Sequence, residues 1–326
     1  MRPFLLLAAL VAALPVAAQP LDADTTLLDP EGHFAVYAAA GRTDLDALVD
    51  ALDEADVVFL GEQHDDPVAH ALQRRLLEAA HDAAGERPVV LSMEMFERDA
   101  QLVLDEYLAG LIRERDFLGA SRPWGNYSRD YRPLVEYAKT HGLPVVAANA
   151  PGRYVSRVGR EGEAGLDPLT PAAQAFLPPR PLPAPSEAYA AKFRRTMEGM
   201  SAHGAGMATL PDSARVLPPG HPPIGAIPSM NTILAAQNLR DVTMAHAIAE
   251  ALRENPGALV VHVGGSFHHE GGLGVPEHLR HYTPGARVVV VTMRPEADMH
   301  AAPPVSGDTF VILTDRSVPR SFTRGG

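Results

Sequence analysis

The chain has 326 residues, with 46% hydrophobic and 21% charged residues, the balance of a globular protein with apolar content for a sizeable core. Its formal net charge of -12 argues against nucleic acid as a partner, because phosphate-backbone binders cluster Lys and Arg; the near absence of lysine, only Lys139 and Lys192, carries no functional weight. Cysteine is absent, so disulfides, thiolate metal sites, cysteine nucleophiles, covalent c-type haem attachment and lipidation of an N-terminal cysteine are excluded.

Arg2, the apolar run from Phe4 to Leu14 and the small residues Val16-Ala17-Ala18 have the pattern of a secretory signal peptide, residues 1–18, cleaved near Ala18. The run is shorter than the roughly 20 apolar residues of a spanning helix, and no later stretch is long enough. The expectation is an exported protein, periplasmic or secreted, with no transmembrane segment and no lipid anchor. After a polar lead-in, Asp44 is placed to cap a helix over 45–54. Val57–Leu60 is a continuous apolar run, the mark of a strand buried on both faces. Gly61 is expected to let the backbone turn sharply after it, delivering Glu62, Gln63 and His64. Pro67 opens a helix reaching Ala84, with Val68, Leu72, Leu76 and Ala80 at helical spacing.

Residues 88–93 read as a second buried strand, followed directly by Glu94-Met95-Phe96-Glu97. Helices are predicted over 99–109 and 112–118. The aromatic segment Trp124–Tyr131 precedes a helix over 133–141, and residues 144–148 form a third strand ending at Asn149. Strand alternating with helix means a mostly parallel sheet flanked by helices, an α/β fold. Residues 155–245 then show no strand. They hold the stiff proline-rich connector 178–185, a helix over 186–201, a Gly/Pro-rich stretch to Pro228 and a long helix from Met230 to Glu254. This reads as a smaller helical subdomain, 155–245, inserted into a sheet domain made of 19–154 and 246–326. Its methionines (Met197, Met200, Met207, Met230, Met244) read as core filling. The sheet resumes at 259–263, ending in Gly264-Gly265-Ser266-Phe267-His268-His269. A helix over 276–281, a fifth strand over 287–293 and a sixth, at an edge, over 309–313 complete the chain.

The carboxyl ends of parallel strands lie along one edge, where open α/β sheets keep their ligand sites. There the first strand delivers Glu62 and His64, the second Glu94 and Glu97, the third Asn149, and the fourth His268 and His269. Glu62, His64, Glu94 and His268 form the candidate catalytic set. The same four suit a divalent metal of the zinc, manganese or iron type. They equally suit metal-free acid–base work, with one glutamate raised in pKa by its like-charged neighbour. Tyr127 and Tyr131, with Trp124, could lie near the same edge, and tyrosinate is a recognised axial ligand of ferric haem. Taken singly, each tyrosine reads as packing for the helix start. Ser266 lacks a nucleophile-elbow context, no phosphate loop is present, and Gly264-Gly265 alone does not make a dinucleotide site.

Val57–His70 (VVFLGEQHDDPVAH), Met93–Phe96, Tyr131-Arg132-Pro133, Pro144–Pro151 (PVVAANAP) and Gly272–Pro276 resemble the ChaN-like haem-binding uptake proteins. These belong to a wider group with Tiki, the TraB proteins and the erythromycin esterases, marked by two Gly-x-x-His motifs and a pair of glutamates. Gly61–His64 and Gly265–His268 match the first hallmark, and Glu62 with Glu94 the second. The resemblance implies a sheet domain carrying a smaller helical domain, and haem binding in bacterial iron uptake beside an outer-membrane uptake partner. It also implies a homodimer holding haem between subunits, with tyrosine ligation and histidine contacts. On this chain those contacts fall to His64, Tyr127, Tyr131, Asn149, His268 and His269. The chain departs from the pattern in having no cysteine to lipidate, in the extra histidine His269 and in a weakly matching inserted region. The alternative, from the esterase side of the group, is a hydrolase, metal-assisted or acid–base, using Glu62, His64, Glu94 and His268.

Overall fold

A computed structural model describes residues 28–202, 229–305, 307 and 309–322. The signal segment, most of the Gly/Pro-rich stretch and Met207 lie outside the described residues. The apolar runs become strands of one sheet: β3 (Val57–Glu62), β4 (Val89–Glu97), β6 (Leu259–Gly265) and β7 (Val288–Glu296) inside it and β5 (Val145–Asn149) at its edge. With β1 (Phe34–Ala38), β2 (Gly41–Thr43) and β8 (Phe310–Asp315) they give, among the described residues, eight strands in the order β2-β1-β8-β7-β3-β6-β4-β5, and the helices between them include α1 (Leu45–Asp50), α3 (Gln101–Leu108), α4 (Glu114–Ser121), α7 (Pro171–Gln174) and α8 (Glu187–Ala202). All pairings from β8 to β5 are parallel; only those of β1 with β2 and β8 are antiparallel.

Alternation along β3 shows how the two layers form. Val58 and Leu60 enter a core with Leu72 and Leu76 of α2 (Pro67–Ala84), and Leu134 of α5 (Arg132–His141) joins the same layer. Val57 and Phe59 enter the opposite core with Met244 and Ile248 of α9 (Met230–Glu254) and Leu279 of α10 (Val275–Tyr282). The amino-terminal half of α9 leaves the sheet, its Ala236 and Leu239 packing with Tyr154, Val155 and Val158 of α6 (Gly152–Glu161). Met244 is core, as expected, but Met230 is 42% exposed. Its position on the first turn of α9 carries it beyond both cores.

Three expectations change. The last strand, β8, is not at an edge, because it lies between β7 and β1. The supposed polar lead-in contains Phe34–Ala38, whose buried Ala35, Val36 and Tyr37 cover β8 antiparallel. Gly61 does not turn the chain either: β3 continues through it to Glu62, and its φ is not positive. It is glycine because a Cβ there would lie 3.1 Å from Ser266 Cα and 3.3 Å from Val291 O. Glu94 likewise sits within β4, whose pairing with β5 shifts register between Met93 and Glu97.

Gly274, just before α10, is where backbone freedom is required. Its φ is +66°, and a Cβ there would meet His268 O at 2.6 Å and Tyr189 Cε2 at 3.1 Å. Gly274→Ala is expected to cost about 2–4 kcal/mol in a urea melt. An unchanged midpoint would show that this turn relaxes freely.

Candidate functional site

Glu62 ends β3 with 1% exposure, and both of its carboxylate oxygens are engaged. Tyr131 donates to Oε1 at 2.6 Å and Gln73 to Oε2 at 2.8 Å. His64 Nδ1 donates to Oε1 at 2.9 Å, and His70 Nδ1 lies 2.9 Å from Oε2. Local structure supplies these partners. Asp66 caps α2 by accepting from Val68 N and Ala69 N, with Pro67 at the first position, and the helix then presents His70 and Gln73 on one face. Tyr131 closes a π-helical turn over Tyr127–Tyr131, a device that recurs at functional sites.

The second nitrogen of His70, Nε2, faces His64 O at 3.1 Å and Asp130 Oδ2 at 3.6 Å. Both ring nitrogens thus face groups that only accept, so His70 is an imidazolium. Burial opposes that charge, but Glu62 outweighs it and His70 is raised to about 9. Burial likewise pushes Glu62 up, but His70 and His64 pull it down to about 2.

His64 is the accessible member, its side chain 29% exposed and its ring edge-on to Trp124 with centroids 4.8 Å apart. Its Nε2 makes no hydrogen bond to another described residue. A Cβ at Gly265 would lie 3.0 Å from that nitrogen and 3.6 Å from Glu94 Oε2, so the missing side chain lets the two halves of the site meet. Glu94, 4% exposed, accepts from Gly265 N at 2.7 Å and lies 3.3 Å from His268 Nε2. His268 Nδ1 is bonded to Asp241 on α9. Burial disfavours a charged His268, but Glu94 and Asp241 raise it to about 10. Burial acts upward on Glu94 as well, and His268 overrides it, holding the carboxyl well below its usual range.

The four residues predicted from the strand ends therefore converge, with one correction. Neither glutamate is raised by the other, because each is paired with its own imidazolium. Asn149 lies at the same edge and accepts from Arg240 Nη1 at 3.2 Å. His269 is fully buried, 5.2 Å from Phe59 and 5.1 Å from His262 between ring centroids, and burial keeps it neutral. Tyr127 is not at the edge: its ring packs on Phe96 and Phe117, and its buried hydroxyl has no hydrogen-bond partner. Among the described residues, no three His, Asp or Glu are arranged to hold a metal ion. The sequence reading missed Asp241, His70 and Gln73. The available signal was polar residues on core-facing helix positions, as in Asn238, Arg240 and Asp241 of α9.

The family of haem-binding uptake proteins of the Tiki superfamily, ChaN, matches residues 48–279, a span holding both Gly-x-x-His motifs and both glutamates. The chain belongs to this family. Among solved structures, this ChaN-family chain is similar to one described as cofacial haem binding to ChaN of Campylobacter jejuni. The TM-score is 0.61 at 15% identity, over 87% of this chain and 98% of that one. An erythromycin esterase mutant in its open conformation follows at a TM-score of 0.40 and 13% identity, over 83% of this chain and 78% of that one. A Bacillus cereus protein gives 0.42 at 13% identity, over 77% and 68%. No curated protein matches the chain.

The paired charges set a pH profile for stability. His70 and His268 are raised from 6.5 to about 9 and about 10, so their contributions are complete below 6.5 and are lost as pH climbs through those values. Glu62, lowered from 4.5 to about 2, contributes above 4.5 and is lost as pH falls through about 2. Urea melts from pH 6 to 10 are expected to show a declining unfolding free energy, and a flat profile would contradict the two imidazoliums. Glu62→Gln, which leaves His70 buried without its nearest counter-charge, is expected to cost about 3–5 kcal/mol.

Proposed function

We propose that this ChaN-family protein is an exported haem-binding protein of bacterial iron uptake that holds haem at the carboxyl edge of its sheet. The observation that carries the reading is His64. Its side chain is partly exposed, its Nε2 makes no hydrogen bond among the described residues, and its Nδ1 is anchored by a buried carboxylate, which suits an imidazole that meets a ligand. Haem is the cargo here, and Trp124 offers an apolar surface beside the imidazole. The signal-like segment and the absence of cysteine support export without a lipid anchor. Among the described residues no helix is long and apolar enough to cross a membrane. A homodimer sharing haem between subunits and hand-over from an outer-membrane partner complete the proposal.

In the alternative, hydrolysis by Glu62, His64, Glu94 and His268, both nitrogens of His268 face carboxylates, so the base would have to come from His64 or a glutamate. Titrating the purified protein with haemin is expected to shift the Soret band to a stoichiometric endpoint. A flat titration would sink the haem reading.

A further inference from the structure

The sheet ends in two edges, and an open edge offers backbone groups onto which a strand of another molecule can add. One edge is β2, three residues long, with Gly41 and the exposed Arg42. The other is β5, outermost beside β4, and its Val145-Val146-Ala147-Ala148 is uncharged and apolar. A longer apolar edge of this kind is the one that needs protection.

Leu91 N of β4 donates to Pro144 O at 3.0 Å, which fixes the side of β5 that faces the sheet. Backbone groups alternate sides along a strand, so Val145 O and Ala147 N point off the sheet. Gln101, the first residue of α3, takes both. Its Nε2 donates to Val145 O at 2.8 Å, and its Oε1 accepts from Ala147 N at 2.7 Å. In a parallel ladder, a residue donates to the carbonyl before its partner and accepts from the N–H after it. The Gln101 amide makes those same two bonds around Val146, in the place of a further strand. Nε2 also donates to Asp105 Oδ1 at 2.8 Å, one turn along α3, so the amide is fully bonded in a single orientation. The helix itself does not fill the space beside the edge. A cavity of about 570 Å³ lies against Val145 and Val146, with Lys139 and Glu250 also on its wall.

We infer that Gln101 is a latch on the β5 edge, and that β5 is a pairing surface for a second copy of this chain once the amide is removed. The matching strand is the β5 of that copy, because β2 is too short to serve. Two such edges meet antiparallel about a two-fold axis, each giving the other what it receives. The inference is independent of haem, since the latch and its partners belong to the sheet edge and not to the histidine site.

The test uses the full mature chain without haemin. Gln101→Ala is expected to keep the wild-type circular dichroism and to speed hydrogen exchange of the Ala147 amide at least about tenfold at low protein concentration. In analytical ultracentrifugation it is expected to self-associate at least about tenfold more tightly than the wild type. Gln101→Met keeps the bulk of the side chain without either hydrogen bond and is expected to behave alike, so it carries the test if the alanine variant loses its fold. Adding Ala147→Pro takes the N–H off the open edge while leaving the bonds to β4, and is expected to return association to the wild-type level. Unchanged exchange at Ala147, wild-type association in the Gln101 variants, or an association that Ala147→Pro leaves in place would each overturn the inference.

Discussion

A carboxylate buried at the end of a central strand must be surrounded by donors, and Glu62 draws them from every element around it. α2 gives His70 and Gln73, the π-helical turn gives Tyr131, and the loop after β3 gives His64. That loop is pinned in turn. His64 O accepts from Asn126, Asp65 O accepts from Ser321 N, and Asp66, besides capping α2, accepts from Thr314 of β8. Asp130, which faces His70, also accepts from Asn126 and Ser321. Segments from residue 62 to residue 321 are thus tied to one anion. An unpaired charge in such a place costs several kcal/mol, whereas a satisfied network holds a unique arrangement.

Three glycines make room for this chemistry. Gly61 pairs in register with Gly264, and Glu62 with Gly265, so the two central strands run out of side chains where the imidazoles arrive. A Cβ at Gly264 would come within 2.9 Å of both Glu94 Oε2 and His269 Cε1. The glycines of the two Gly-x-x-His motifs therefore share a steric cause, close approach across the sheet edge, and their backbones need no left-handed conformation.

Glu62 with His70, and Glu94 with His268 and Asp241, put anions and cations side by side out of water, which is tolerated only when each has partners at hydrogen-bond distance. Among the described residues His64 Nε2 makes no hydrogen bond, and the functional reading turns on that partly exposed imidazole rather than on the number of histidines present.

Much was legible in the chain itself. Continuous apolar runs mark strands buried on both faces, and their alternation with helices dictates a parallel sheet whose carboxyl ends share an edge. These are consequences of local periodicity and connection rules, so Glu62, His64, Glu94 and His268 could be brought together without coordinates. What packs across the sheet is not local. β1 is a short strand whose partner β8 lies more than 270 residues away, so nothing near it announced that β8 would be covered. Asp241 looked like one polar residue in a long helix until α9 crossed the sheet and set it against His268. The two glutamates looked like a repelling pair, and only the tertiary structure placed an imidazolium beside each and reversed their pKa shifts. The sequence by itself determined the elements and the edge they share, because backbone preference and hydrophobic pattern act over neighbours. The protonation states and the buried tyrosines were decided by the tertiary structure, because charge and burial depend on atoms that the chain brings together only when folded.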